Sequence, residues 1–427
     1  MGTSVLHIKT DIECKVFLFD EEKGVATPGK YYNLEVRKGE QHLHFISNDG
    51  EMYYDEIYIV ENEDSDYVLE LDKSKFESEV FDTVATEKEL EDGFEDGYGV
   101  VYSEDGLQLL KCKNADLVSY TIKSGCKVIR RCAFVHDMFH LSRLKWINIP
   151  NTVTYIADYA FAHCLELTSV FIPSSVTHIG KQPFHFDEDL ISIVIDGCNP
   201  KYDSRNNCNA VIESASNTLI IGCKETIIPD TIEHIGESAF EECKGLQSLN
   251  IPNSVVSIGG RAFAKCGAIR DDEGTQIRWI AGITSIRIPD SVTYIGNEAF
   301  RNCNCLDDVI LSNSLTSIGE RAFEGCGFNS VVLPSSIRII NKEAFSYCRG
   351  LETITIPDSV SVMGDGAFEG CDNMSSIVFQ GEVHYIGQSC LRQCSSLHKI
   401  QISKGSRIHY ERLLPHELHD ILIEVND

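Results

Sequence analysis

The chain has 427 residues, 43% of them hydrophobic, which allows two or three ordinary domains and excludes a disordered polymer. Its formal charge of −28 is uneven: residues 47–98 hold 19 Asp or Glu against only Lys73, Lys75 and Lys88, a net −16, which leaves −12 for the other 375 residues. Lys and Arg bind phosphate backbones and about 20 consecutive apolar residues span a bilayer, so this balance, with no such run, argues against nucleic acid and membrane insertion.

The opening MGTSVLHIKTDIECKVFLFD carries acids inside any signal-peptide core. A cytoplasmic chain is expected from it, or a cell-surface or secreted one if Met1 and Gly2 replace a removed leader. Residues 1–80 show alternating runs, VLHIK, KVFLF, YNLEV, HLHFI and EIYIV, and predict a small all-β sandwich of about five strands. GVATP at 24–28 and RKGEQHLHFIS at 37–47 resemble the PEGA-type β-sandwich, with Gly29, Lys30 and Tyr31 in place of its naming motif. GVATPGKY also nearly spells a phosphate-binding loop. Tyr31 replaces the Ser or Thr, however, and YYNLEV continues as a strand where that motif opens a helix, so a tight turn is expected. Residues 81–98, FDTVATEKELEDGFEDGY, read as an acidic linker. Residues 99–116, beginning GVVYSEDGLQLLKCK, read as a hairpin that caps the N-terminal end of the next domain.

From 117 to 404 one pattern governs the chain. Residues 246–268, LQSLNIPNSVVSIGGRAFAKCGA, set a grid of Leu246, Leu249, Ile251, Pro252, Ser254, Val255, Ile258, Gly259, Ala262, Phe263 and Cys266. It recurs at Leu351, Ile354, Ile356, Pro357, Val360, Met363, Gly364, Ala367, Phe368 and Cys371. The stretch L-x-x-I-x-I-P alternates like a strand, Ser-Val and Ile-Gly make a second short extended piece, and Ala-Phe-x-x-Cys is a short return with helical character. A turn offers about six large apolar side chains worth ~1.5–3 kcal/mol each when buried, against ~1–2 kcal/mol of backbone entropy for each of its roughly 23 residues. No turn is stable alone, so a stacked solenoid of about ten to eleven 22–23-residue turns is predicted.

These residues resemble the BspA-type leucine-rich repeat. The resemblance implies a curved, β-rich repeat solenoid from a bacterial or protist protein, often surface-associated and concerned with adhesion or binding, with no shared catalytic residues. Departures are local: Asp137 and Asp187 occupy the Cys column, Pro183 replaces Ala, and Cys390–Leu391 replace Ala-Phe. A hairpin insertion at 196–227 contains NAVIESASNTLIIGCK. It echoes residues 99–113 when Val101 is aligned with Ile212, Leu110 with Ile221 and Cys112 with Cys223. A shorter insertion covers 270–282, and 405–427 is expected to cap the far end.

Chemistry is sparse. HELHD at 416–420 lacks the spacing of a zinc-protease helix, and the Cys column, one per turn, fits buried thiols better than metal pairs or bridges. His178 and His234 fall in the same column of consecutive turns if the insertion loops out, close enough to share an ion, although a polar stack is the blander reading. A non-enzymatic scaffold without cofactor or metal is therefore expected, holding a protein partner; the alternative is an exported adhesin for a host protein or glycan. In each first strand the residue between the two inward positions faces out: Asn148, Phe171, Val194, Asn250, Arg287, Ile310, Val332, Thr355, Val378, Gln401. Trp146 lies on the same side. Trp146, Phe171, Val194, Arg287, Ile310 and Val332 are the candidate binding residues, unless the nearby insertion folds over the first three.

Overall fold

The computed structural model describes residues 4–10, 13–18, 21–28, 30–36, 39–47, 53–60, 66–71, 83–136, 141–247, 249–267, 269–271, 278–280 and 282–425. At the N-terminus, strands Tyr31–Val36, Ser4–Thr10 and Asp66–Leu71 form one sheet and Glu21–Ala26, Cys14–Leu18, Gly39–Ser47 and Tyr53–Val60 another. Leu6, Ile8, Cys14, Val16, Leu34, Val36, Leu43, Phe45 and Leu69 make the core between them. Two strands exceed the five read from the sequence. EEKGVA carries two apolar residues and DYVLEL stands among acids, so neither shows a clean alternation. Lys30 N–H donates to the Thr27 carbonyl at 3.2 Å between two strands, so the GVATPGKY segment is a turn.

Residues 83–98, expected as a linker, belong to the solenoid's end. Helix Glu87–Asp92 starts with a reciprocal capping box between Thr86 and Glu89. Strand Phe94–Glu95 then pairs with Val100–Tyr102, which pairs with Gln108–Cys112, which runs parallel to Val128–Ile129 of the first turn. The buried guanidinium of Arg130 straps the segment down, donating to Glu89 Oε1 (3.0 Å), Gln108 Oε1 (2.9 Å) and Thr83 Oγ1 (2.8 Å). Acid content made this stretch look like a joint; the Thr-x-x-Glu box was the signal against it.

Each turn of the coil has three sides. The first carries the longer strands, such as Ser169–Ile172 against Ser192–Ile195 and Thr353–Ile356 against Ser376–Phe379, all parallel. The second carries two-residue strands such as Tyr294–Ile295 and Ser317–Ile318. Behind them the chain passes so close to its neighbour that a Cβ on Gly319 would meet the Gly296 carbonyl carbon at 2.7 Å, which is why Gly ends this side.

The third side is not helical. In most turns a left-handed residue stands on either side of the Phe, Arg261 at φ 54° and Lys265 at φ 59° around Phe263, and every second N–H leaves the turn instead of closing within it. Arg261, Phe263 and Lys265 N–H donate to the Asn297, Ala299 and Arg301 carbonyls at 2.8, 2.7 and 2.6 Å. The same triple of bonds joins the turns of Phe300, Phe323, Phe345 and Phe368 each to its C-terminal neighbour. An L-residue in the left-handed region costs roughly 1–2 kcal/mol, which one hydrogen bond at about 1 kcal/mol barely offsets. The stacked rings supply the rest: Phe263, Phe300 and Phe323 lie 5.1 and 5.2 Å apart, nearly parallel.

The 196–227 segment does not loop out. Strand Thr218–Gly222 enters the second-side ladder, parallel to His234–Ile235, and pairs on its other edge with Ala210–Glu213. This repeats the N-terminal cap strand for strand, with Leu109 matching Leu219 and Tyr102 matching Ile212, one residue from the alignment drawn through the cysteines. The chain therefore holds two arrays, each opened by its own hairpin. One core runs from Val100 through Ile195 to Val211 and Ile221, the other from Ala210, Ile212 and Leu219 to Leu422. In the shorter insertion, Ile269–Asp271 and Arg278–Ile280 pair antiparallel. At the far end helix Arg407–Leu413 lays Tyr410 over the core, its hydroxyl donating to the Gly381 carbonyl at 2.6 Å, and Leu422–Val425 extends the first-side ladder.

Candidate interaction surface

The first side builds its outer face by strand alternation. In Ser169–Ile172, Val170 and Ile172 point into the core and Phe171 outward. Trp146, Phe171 and Val194 are 48%, 49% and 41% exposed. Phe171 faces Val194 directly across the ladder, and Trp146 faces Ser169 two residues away on the same side. Val118 and Ile191, both exposed and missed in the sequence, widen the patch. Their signal was an apolar residue just before the strand. Arg143 and Lys145 rim it and both reach Glu166, at 3.5 and 2.9 Å, holding that carboxyl below the usual carboxylate range through the Lys145 hydrogen bond first.

Arg287, Ile310 and Val332 form a separate run on the second array. Arg287 pairs with Ile310 across the ladder, Ile310 is half exposed, and Val332, at 82%, is the most exposed large hydrophobic residue described. The two groups are not contiguous, because the second cap stands between the arrays. That cap joins the second side and leaves Trp146, Phe171 and Val194 uncovered. Asn250 and Thr355 are exposed as read, and Val378 and Gln401 are half-buried.

The third side offers a partner less. Its charges pair with one another from turn to turn: Arg261 with Glu298 (3.2 Å), Arg301 with Glu324 (2.9 Å), Arg321 with Glu343, and Arg392 with Glu369. Its thiols are turned inward. Cys266, Cys303, Cys326, Cys348 and Cys371 donate Sγ–H to the Phe carbonyl of the preceding turn at 2.8–3.2 Å, and burial pushes the Cys303 and Cys348 thiols up to about 12.

His178 and His234 are not neighbours, since strand Thr218–Gly222 separates their ladders. His178 stacks on Tyr155 at 4.0 Å, and His234 Nδ1 bonds Ser257 Oγ at 2.7 Å. In HELHD, His419 Nε2 bonds the Leu414 carbonyl within a 3-10 turn. Among the described residues no group of three or more His, Cys, Asp or Glu is placed to hold a metal ion, and no helix is long and apolar enough to cross a membrane.

Where the arrays meet, a cleft of about 920 Å³ opens on the third side. Phe184, Phe186 and Glu188 line one wall, Ser238, Glu241 and Lys244 the other, with Ile220–Lys224 between them. Burial pushes the Asp187 carboxyl well up, and it holds His178 and His185 down to about 4, so near neutral pH the two imidazoles are uncharged. Ion pairs cross or edge the cleft: Lys244 with Glu188 at 3.1 Å and Lys265 with Glu242 at 2.5 Å.

Stacked parallel strands, an inward Leu/Ile/Phe/Cys grid and an outward ladder face define a leucine-rich-repeat solenoid. Residues 111–210, 211–273 and 278–398 match the BspA type leucine rich repeat region in six copies, and the chain belongs to that family. No curated protein matches it. Similar solved structures include a leucine rich cell surface protein from Faecalibacterium prausnitzii A2-165 (25% identity, 70% of this chain and 62% of that one, TM-score 0.39). Leucine-rich repeat proteins from Bacteroides ovatus (26% identity, 72% and 68%, TM-score 0.40) and Eubacterium ventriosum (21%, 64% and 92%, TM-score 0.40) are also similar. The match thus spans less than two thirds of the Faecalibacterium protein's length.

Proposed function

We propose that the chain is a non-enzymatic scaffold whose first-side face holds a protein partner, with Trp146, Phe171 and Val194 as the anchor and Arg287, Ile310 and Val332 as further contacts. The observation that carries this reading is the contrast between faces. Three adjacent large apolar side chains stand 41–49% exposed on the first side, while the charges of the third side are paired among themselves. Aromatic anchors with apolar flanks are what interface hot spots are made of. Trp146→Ser with Phe171→Asp tests it. Both residues are exposed, so the melting temperature should stay close to wild type, while capture of the partner from the source cell is lost. A large fall in melting temperature, or capture that survives the change, overturns the reading.

The same face serves a scaffold inside the cell and an adhesin outside it. Cys198 is exposed, so a membrane-impermeant maleimide on intact cells separates the two: labelling places the chain at the surface, and labelling only after lysis places it inside.

A further inference from the structure

In most turns of the third-side ladder, three alternate N–H groups donate to the next turn. Tyr159, Phe161 and His163 donate to the Lys181, Pro183 and His185 carbonyls, and Ser238, Phe240 and Glu242 to the Gly260, Ala262 and Ala264 carbonyls. The turn between these two is different. The N–H groups of Gln182, Phe184 and Phe186 have no hydrogen-bond partner among the described residues, and all three residues line the junction cleft. Among the described residues only the last turn, at Ser389, Leu391 and Gln393, shows the same lack, and it stands at the end of the stack.

The opposite wall is incomplete in the complementary sense. Of its three outward carbonyls, Glu237, Ala239 and Glu241, only Ala239 receives a bond among the described residues, from Gly222 N–H at 2.8 Å. The N-terminal cap solves the same problem with a side chain. There Cys112 N–H takes the Ala133 carbonyl, and the Lys111 ammonium takes the carbonyls of Cys132 and Val135. The residue matching Lys111 in the second cap is Ile221, which has no such donor. One cap therefore closes its edge, and the other leaves the donor row of Gln182, Phe184 and Phe186 facing the cleft.

We propose that this cleft binds an extended polypeptide segment of a protein partner, laid between the two arrays as the missing rung. Its carbonyls accept from Gln182, Phe184 and Phe186 N–H, beside the Ile220–Lys224 segment whose Gly222 N–H already holds the Ala239 carbonyl. A volume of about 920 Å³ lies within the usual span of ligand sites. The lining suits a neutral main chain, since Lys244 is spent on Glu188 and Lys265 on Glu242, and Gln182 Nε2 donates to Glu241 at 2.7 Å. Phe184, Leu190 and Ile220 add an apolar wall, so apolar side chains on the inner face of the segment are preferred. This site is separate from the first-side face and does not depend on it.

The test uses the full chain and linear seven-residue peptides selected on it from an unconstrained displayed library, then synthesised with a fluorophore. Two variants fill the cleft. Ile221→Lys supplies the donor that Lys111 supplies in the other cap. Ser238→Tyr puts a ring at a position whose column already holds Tyr159 at the same positive φ, and it decides the matter if Ile221→Lys lowers the melting temperature. Selected peptides should bind wild type and the Trp146→Ser, Phe171→Asp variant equally, and bind the filled variants at least tenfold more weakly. Amide exchange across 181–188 should slow when peptide is bound. Failure to enrich any peptide, binding that neither filled variant weakens, or unchanged exchange at 181–188 overturns the proposal.

Discussion

A thiol is small enough for the inner corner of each turn and still carries a proton to give a carbonyl, and the Cys column uses both properties. Each of Cys266, Cys303, Cys326, Cys348 and Cys371 fills a core position and caps the Phe carbonyl behind it. The column was legible from spacing alone, but the hydrogen bond was not, because nothing in a sequence says which carbonyl a thiol meets. Burial favours the protonated form, so the folded thiols ionise above the ordinary value of 9.0, at about 12 for Cys303 and Cys348. A group whose folded pKa is raised contributes stability below its unfolded pKa and loses it as pH rises through the folded one. The melting temperature should therefore hold up to about pH 9 and fall steadily towards pH 12. Alkylation of native protein should label exposed Cys198 first and leave these column thiols unlabelled until denaturant is added. Early labelling of Cys303 or Cys348 in folded protein would count against the packing.

The third-side rung is one of the elements that sequence reasoning read incorrectly. Ala-Phe-x-x-Cys has helical spacing, and left-handed residues such as Ser238, Arg261, Glu298 and Glu343 have no shared side-chain type that would announce them. The clue was Gly325, Gly366 and Gly370, which occupy the same two columns at positive φ. The cap hairpins were legible as strands and turn, but not their place in the ladder, since a parallel neighbour lies far away in the chain. Ser389 tests the rung. It is exposed, at φ 58°, in the column that holds Gly366 one turn earlier. Ser389→Gly should leave stability unchanged or raise it by up to about 1 kcal/mol, because relief of the left-handed strain opposes the added freedom of the unfolded chain. Ser389→Val puts a β-branched side chain there and should cost about 1–2 kcal/mol. Denaturant midpoints at constant slope measure both. Equal effects of Gly and Val would argue that this position is not left-handed.

At the scale of the molecule the repeat determines almost everything except the place where it is interrupted. The outward ladder face was legible because alternation alone decides it. The junction was not, because its cleft arises from two arrays meeting, and no local pattern encodes a rung that is missing. The ring stack shows the break: Phe134, Phe161 and Phe184 form one run and Phe240 through Phe368 another, and no ring contact joins Phe184 to Phe240 among the described residues. The junction also concentrates buried titratable groups. Desolvation holds both rings down to about 4 from an ordinary 6.5; His163, Lys265 and Lys244 add to it at His185 and Lys201 at His178, and together they outweigh the opposing Glu242 and Asp158 carboxylates. A histidine with a depressed folded pKa contributes stability above its unfolded pKa and loses it as pH falls through the folded one, so the window runs from about pH 6.5 down to about 4. Each ring can contribute roughly 3 kcal/mol over that window, a large share of what holds a local unit closed. Through these two rings acid should loosen the junction before it loosens either array, against the opposite contribution of buried Asp187, whose raised folded pKa favours the fold as pH falls. Hydrogen exchange at pH 5 against pH 7, corrected for intrinsic rates, should show protection lost first in 178–188 and 238–245, with the turns from Phe300 to Phe368 unchanged. His185→Phe, which removes the titrating group from the Phe186 side of the cleft, should shift that loss to lower pH. If protection falls evenly along the stack, or if His185→Phe leaves the pH dependence where it was, the junction is not the acid-sensitive point of the fold.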